Sequence, residues 1–224
     1  MNDFTINISV NPARYPPPLS RAYQLKLDEG AGSVNIPAEE ATEPMPVVIF
    51  LHGAGHADGG ALAYLRQSVN SRRFILLAPS AHRDSWDILR GGWGPDITAV
   101  NCLLNWLRAR YRVNDKGISV MGFSDGASYA LSLGLRSPAI ARVAALSPGF
   151  YLGNLRRDLP VLIGHGINDA VLPYSGALRI KAEFENGGSE VSFVSHKMGH
   201  SCPDDAVKAA LAFCLCPGAE GNRC

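Results

Sequence analysis

The sequence predicts a single α/β domain over residues 1–224. A mostly parallel central sheet is flanked by helices on both faces, with antiparallel strands at the N-terminus. Three observations carry this. Continuous apolar runs at 47–51, 74–78, 143–146 and 160–163, and a run at 118–121 broken only by Ser119, suit parallel strands buried on both faces. Apolar stripes at helical spacing lie between the runs. The polar groups of interest stand in loops just past those runs, where such sheets collect their functional groups.

Each element follows in order. Residues 5–10 alternate apolar and polar and read as a first strand. Residues 11–20 carry Pro12, Pro16, Pro17 and Pro18, which cannot donate to a ladder, so they form a connection. Residues 22–27 alternate again and are expected to pair with the first strand, leaving one face wet. Residues 28–46 hold five acids and no Lys or Arg and read as a solvated loop. The buried run 47–51 leads into His52-Gly53-Ala54-Gly55, residues 61–71 form a short helix, and 74–78 form the next buried strand. A long loop, 79–95, contains Trp86 and Trp93. Asp96 is placed to cap a helix striped by Ile97, Val100, Leu104 and Leu107. After the 118–121 strand a helix is apolar or small nearly all round, as a central buried helix should be. Two strands, a helix stopping at Asn186-Gly187-Gly188, a last strand at 191–194 and a helix through Val207, Ala210, Leu211 and Cys214 complete the domain.

Composition excludes several classes. Hydrophobic content of 46%, charged content of 18% and a formal net charge of +1 are those of a globular protein with nothing to steer it to nucleic acid. No apolar run approaches the roughly 20 residues of a membrane span. The N-terminus lacks the basic and apolar regions of a secretory signal, so a cytoplasmic location is expected. Reduced thiols are expected with it, and five cysteines is an odd number. Cys214-Leu215-Cys216 lacks zinc-site spacing. No metal and no cofactor are expected, and the sequence does not fix an oligomeric state.

The chemistry is carried by Gly122-Phe123-Ser124-Asp125-Gly126, between a strand and a helix. This is the pattern of a sharp turn that lifts a serine hydroxyl above the sheet edge, with the helix N-terminus facing the place where an oxyanion forms. A serine hydroxyl needs a base, and the base an orienting acid. Asp169 and His200 follow at intervals of 45 and 31 residues, in the chain order Ser, Asp, His of an α/β-hydrolase. Ser124 is the expected nucleophile, His200 the base and Asp169 the orienting acid. The backbone N–H groups of Asp125 and Ala54 are expected to hold the oxyanion, with Gly55 as a neighbouring candidate. Asp158 is a weaker rival for the acid. Of the other histidines, His52 is expected to order the oxyanion loop and His165 to buttress the Asp169 loop. Cys202, two residues past His200, lacks the positioned turn of Ser124 and reads as loop packing. Trp86 and Trp93 either line an acyl or alcohol pocket or pin their loop.

With Leu51-His52-Gly53-Ala54-Gly55, the Ser124 turn, His165-Gly166-Ile167-Asn168-Asp169 and Gly199-His200, the chain resembles the phospholipase/carboxylesterase family of α/β-hydrolases. That family includes the acyl-protein thioesterases. The resemblance runs from about Val47 to Phe213 and rests on the combined order. It implies the α/β-hydrolase fold, a Ser124–His200–Asp169 triad, oxyanion amides at Ala54 and Asp125, and a small-molecule ester substrate. The turn reads Gly-Phe-Ser-Asp-Gly-Ala where the thioesterases look like Gly-Phe-Ser-Gln-Gly-Gly, which bears on thioesterase activity more than on ester hydrolysis. Only residues 148–159 separate Ser147 from the strand at Pro160, too few for a helical cap. An open site with a preference for short acyl esters is therefore expected. The alternatives are a thioesterase or lysophospholipase on the same triad, and a non-catalytic ligand-binding protein that keeps the fold.

Overall fold

The computed structural model describes residues 22–39 and 41–216. Eight strands form one sheet in the order β1-β2-β4-β3-β5-β6-β7-β8. They are β1 (Ala22–Leu27), β2 (Gly30–Asn35), β3 (Met45–Leu51), β4 (Ile75–Ser80), β5 (Val113–Phe123), β6 (Arg142–Leu146), β7 (Val161–Gly166) and β8 (Val191–His196). β2 runs antiparallel to both of its neighbours, and the pairs from β4 across to β8 are parallel.

Alternation along the strands sorts the core into two layers. Val47, Ile49, Leu51, Val120, Val143 and Ile163 face one side with α2 (Pro95–Arg108), α3 (Asp125–Arg136) and α4 (Tyr174–Asn186). Val48, Phe50, Met121, Ala144 and Leu162 face the other with α1 (Ala61–Arg72) and α5 (Asp204–Leu215). A strand buried on both faces has no polar side, which is why these runs are almost entirely apolar; the exception, Ser119 of β5, donates its hydroxyl to the Cys214 carbonyl at 2.9 Å. No described helix is long and apolar enough to cross a membrane.

The strand expected at 5–10, and its pairing with 22–27, lie outside the described residues. The stretch expected to be a solvated loop holds β2, which pairs with β1. β2 carries Gly30, Gly32 and Ser33 and has weak strand propensity. Its glycines answer to packing: a Cβ on Gly30 would stand 2.8 Å from the Ala99 Cα and Cβ, and one on Gly32 would stand 2.6 Å from the Ala78 carbonyl oxygen. α2 lies directly on this strand, and only glycine admits it.

Asp96 also differs from its expected role as a cap. Its carboxylate accepts from the His82 and Asp87 backbone N–H groups at 2.8 and 2.7 Å and from His82 Nδ1 at 3.0 Å. Asp87 takes over at the start of α2, accepting from the Gly94 and Asp96 N–H groups at 2.9 Å each. These two buried acids hold the 79–95 loop, which includes a 3₁₀ turn at Asp87–Arg90, in one shape.

No helix interrupts the segment between β6 and β7. It is fastened to α3: Ser128 Oγ accepts from Gly149 N–H at 3.0 Å and Ser132 Oγ from Leu152 N–H at 2.9 Å. Arg156 Nη1 donates to the Gly134 and Ser137 carbonyls. Cys216, just past α5, is disulfide-bonded, against the expectation of reduced thiols.

Candidate active site

β5 ends at Phe123 and α3 begins at Asp125, leaving Ser124 alone in the turn with φ 56° and ψ −118°. That backbone is strained for a residue with a Cβ and persists only where its surroundings enforce it. They do so through close approach. A Cβ on Gly122 would collide with the Gly126 carbonyl, and one on Gly126 with the Leu51 and His52 carbonyls. The helix is thereby drawn down onto the strand ends.

Three loops then converge. The Ser124 hydroxyl and His200 Nε2 are 2.9 Å apart, and His200 Nδ1 is 2.7 Å from Asp169 Oδ2. A carboxylate only accepts, so Nδ1 carries the hydrogen and Nε2 is left to accept from the serine. Asp169 lies three residues past β7, where Oδ1 accepts from the Val171 and Leu172 N–H groups at 2.9 and 2.8 Å. Burial pushes its carboxyl up, but the bonds from His200, Leu172 and Val171 outweigh burial and hold it below the usual carboxylate range. His200 follows β8, its ring packed 4.8 Å from that of Phe123. The Asp169 and His200 loops are tied together where Asn168 Nδ2 donates to the Lys197 carbonyl at 2.6 Å.

The loop after β3 flanks the serine. His52 Nε2 accepts from Ala81 N–H at 3.1 Å, so its Nδ1–H donates to the Gly53 carbonyl at 2.7 Å. Burial lowers the His52 pKa, which keeps the ring neutral in that tautomer. Gly55 N–H donates to the Asp84 carbonyl at 2.7 Å. The N–H groups of Ala54 and Asp125 have no acceptor among the described residues.

A family model described as "Putative esterase" matches residues 29–201. The chain belongs to this esterase family. Among curated proteins, "Probable feruloyl esterase C" of Aspergillus clavatus is 28% identical over 167 residues, which is 62% of this chain and 60% of that protein. The protein of the same name from Aspergillus oryzae is 28% identical over 125 residues, covering 54% and 45%. The chain thus spans 60% and 45% of the length of these relatives. Among solved structures, the fluorophosphonate-binding serine hydrolase F of Staphylococcus aureus, with substrate bound, superposes with a TM-score of 0.69. It is 13% identical and covers 88% of this chain and 98% of its own, a likeness of fold. The fold of this esterase-family chain is that of the α/β-hydrolases, without a cap between β6 and β7.

The remaining candidate residues of this esterase-family chain are separated by their surroundings. Trp86 does not reach the surface: it is fully buried, its Nε1–H donates to the His52 carbonyl at 2.7 Å, and its ring lies 4.9 Å from both His52 and Tyr129. Of the two readings for Trp86 the pin describes it, and the pocket does not. Trp93 is half-buried against Tyr129 with the Arg136 guanidinium over its face. Gly55, whose N–H is taken, is displaced as an oxyanion candidate. Asp158 pairs with Arg156 at 2.8 Å on the surface, away from the histidine. The Cys202 thiol is buried in the α1–α5 layer, and burial pushes its pKa up, so no thiolate competes with the serine.

Two features went unread in the sequence. Ser85 Oγ donates to Asp125 Oδ2 at 2.7 Å, turning that carboxylate toward the 79–95 loop. An open recess of about 400 Å³ lies beside the Asp169 loop, lined by Pro148, Gly149, Leu172, Pro173, Ser175 and Arg179. Neither residue pair nor recess has a periodic or motif signature, since each joins segments far apart along the chain.

Proposed function

We propose that this protein hydrolyses carboxylic esters through an acyl-enzyme, with Ser124 as nucleophile, His200 as general base and acid, and Asp169 as orienting acid. The observation that carries this reading is the unbroken relay, 2.9 Å from Ser124 to His200 and 2.7 Å from His200 to Asp169. Ser124 Oγ attacks the acyl carbon as its proton passes to His200 Nε2. The tetrahedral oxyanion is held by the N–H groups of Ala54 and Asp125. His200 returns the proton to the departing alkoxide, and the alcohol leaves. Water then attacks the acyl-enzyme with His200 again taking the proton, releasing the acid and restoring Ser124. Asp169 remains ionised throughout and stabilises the imidazolium.

Short acyl esters are the proposed substrates. The reading is supported by the helix-free segment between β6 and β7, which leaves no cap there to enclose a long chain. The test is fluorophosphonate labelling followed by a p-nitrophenyl ester series, with methyl ferulate added because of the curated relatives' name. Labelling of the wild type and none of Ser124→Ala is expected, with rates falling as the acyl chain lengthens. A folded wild type that does not label would favour the non-catalytic alternative. A strong preference for long chains would overturn the substrate assignment.

A further inference from the structure

His165, near the end of β7, is fully buried and takes no part in the proposed proton transfers. Its Nε2–H donates to the Leu172 carbonyl at 2.9 Å and stands 3.4 Å from Asp169 Oδ2. That is the same oxygen that accepts from His200. Leu172 closes the figure, since its N–H donates to Asp169 Oδ1 at 2.8 Å. Imidazole, carbonyl, amide and carboxylate thus form a ring of three residues around the acid. A carbonyl only accepts, so Nε2 carries a hydrogen. Nδ1 has no partner among the described residues. The ring of Tyr174 stands edge-on at 6.0 Å.

Two amides fix Oδ1 of the acid, and Leu172, which supplies one of them, is itself held at its carbonyl by His165. We propose that His165 is a positioning residue of the hydrolytic site: its Nε2–H fixes the Leu172 carbonyl and, through the Leu172 N–H, the carboxylate of Asp169, aiming it at His200. The inference rests on reading Ser124, His200 and Asp169 as a triad. The effect belongs in kcat rather than in KM, because His165 touches no bound ester and acts through the alignment of the base.

The test compares two amides at one position. In His165→Gln the side-chain nitrogen reaches where Nε2 stood, whereas in His165→Asn it reaches only as far as Nδ1. With p-nitrophenyl acetate, His165→Asn is expected to lose about 10-fold in kcat at unchanged KM, while His165→Gln stays within about 3-fold of wild type. Equal kcat values for the two would overturn the proposal. Nitrogen-15 spectra of wild-type imidazoles supply a measurement independent of any variant: His165 is expected as the Nε2–H tautomer, and the Nδ1–H tautomer would overturn it. Fluorophosphonate labelling at Ser124 keeps the two claims apart. An unlabelled wild type brings down the triad reading and this inference together. A labelled one with equal variants brings down this inference alone.

Discussion

The Ser85 hydroxyl donates to the Asp125 carboxylate at 2.7 Å, across 40 residues of chain. The bond couples the long loop after β4 to the residue that follows the strained serine. It also gives the carboxylate a partner on the loop side. Removing the donor is expected to matter twice. Ser85→Ala should destabilise by about 1 kcal/mol, as loss of one hydrogen bond does. It should also lower kcat several-fold, on the order of 1 kcal/mol in barrier, as Asp125 becomes free to swing toward the oxyanion. Thermal melts and p-nitrophenyl acetate kinetics read the two effects separately. An unchanged kcat would show that the carboxylate's direction is irrelevant to turnover.

Trp86 should behave as a pin. Trp86→Phe keeps a ring between His52 and Tyr129 but leaves the buried His52 carbonyl without its donor, at a cost of about 1–3 kcal/mol. Since the His52 loop carries Ala54, the loss is expected in stability and kcat, with KM little changed. A KM change dominating across the ester series would return Trp86 to the substrate pocket.

Gly126 is fixed by the carbonyls of Leu51 and His52. A methyl group there has to push α3 away from β3. Gly126→Ala should cost about 1–3 kcal/mol, the usual range for overpacking, seen as a lower urea midpoint. Because the same shift moves Ser124 relative to His200, fluorophosphonate labelling should slow in whatever fraction remains folded.

Acid should undo the Asp169 anchor in a definite direction. Its folded-state pKa lies below the unfolded one, because the bonds from His200, Leu172 and Val171 outweigh burial. The carboxylate therefore contributes stability above the ordinary aspartate pKa, and that contribution is lost as pH falls through the folded value. Asp169→Asn removes the titration. The difference in unfolding free energy between neutral pH and about pH 3 should be smaller in the variant than in the wild type. An equal or larger difference would mean that Asp169 is not held as the bonds imply.

What could be read from the chain follows from how the information is stored. The Ser124 turn was legible because strand, turn and helix are contiguous, and its two glycines answer to contacts made within that unit and with β3. Asp169 and His200 were legible because each follows an apolar run whose only good fate is a buried parallel strand. β2 was not, since nothing in Gly30-Ala31-Gly32-Ser33 asks for a strand until Ala99 of α2 is known to lie against it. Asp96 misled for a related reason: a carboxylate in the first helical turn reads as a cap, and its true partners, His82 and Asp87, come from a loop without periodicity. Trp86 carried both of its readings until burial decided between them.

The hydroxyls of Ser128 and Ser132 stitch the β6–β7 segment to the nucleophile helix at Gly149 and Leu152. With that seam closed and no arm to swing aside among the described residues, catalysis has nothing there to wait for when an ester gathers into droplets or micelles. Turnover of a sparingly soluble substrate should climb along one smooth saturation curve, without a jump at the solubility limit.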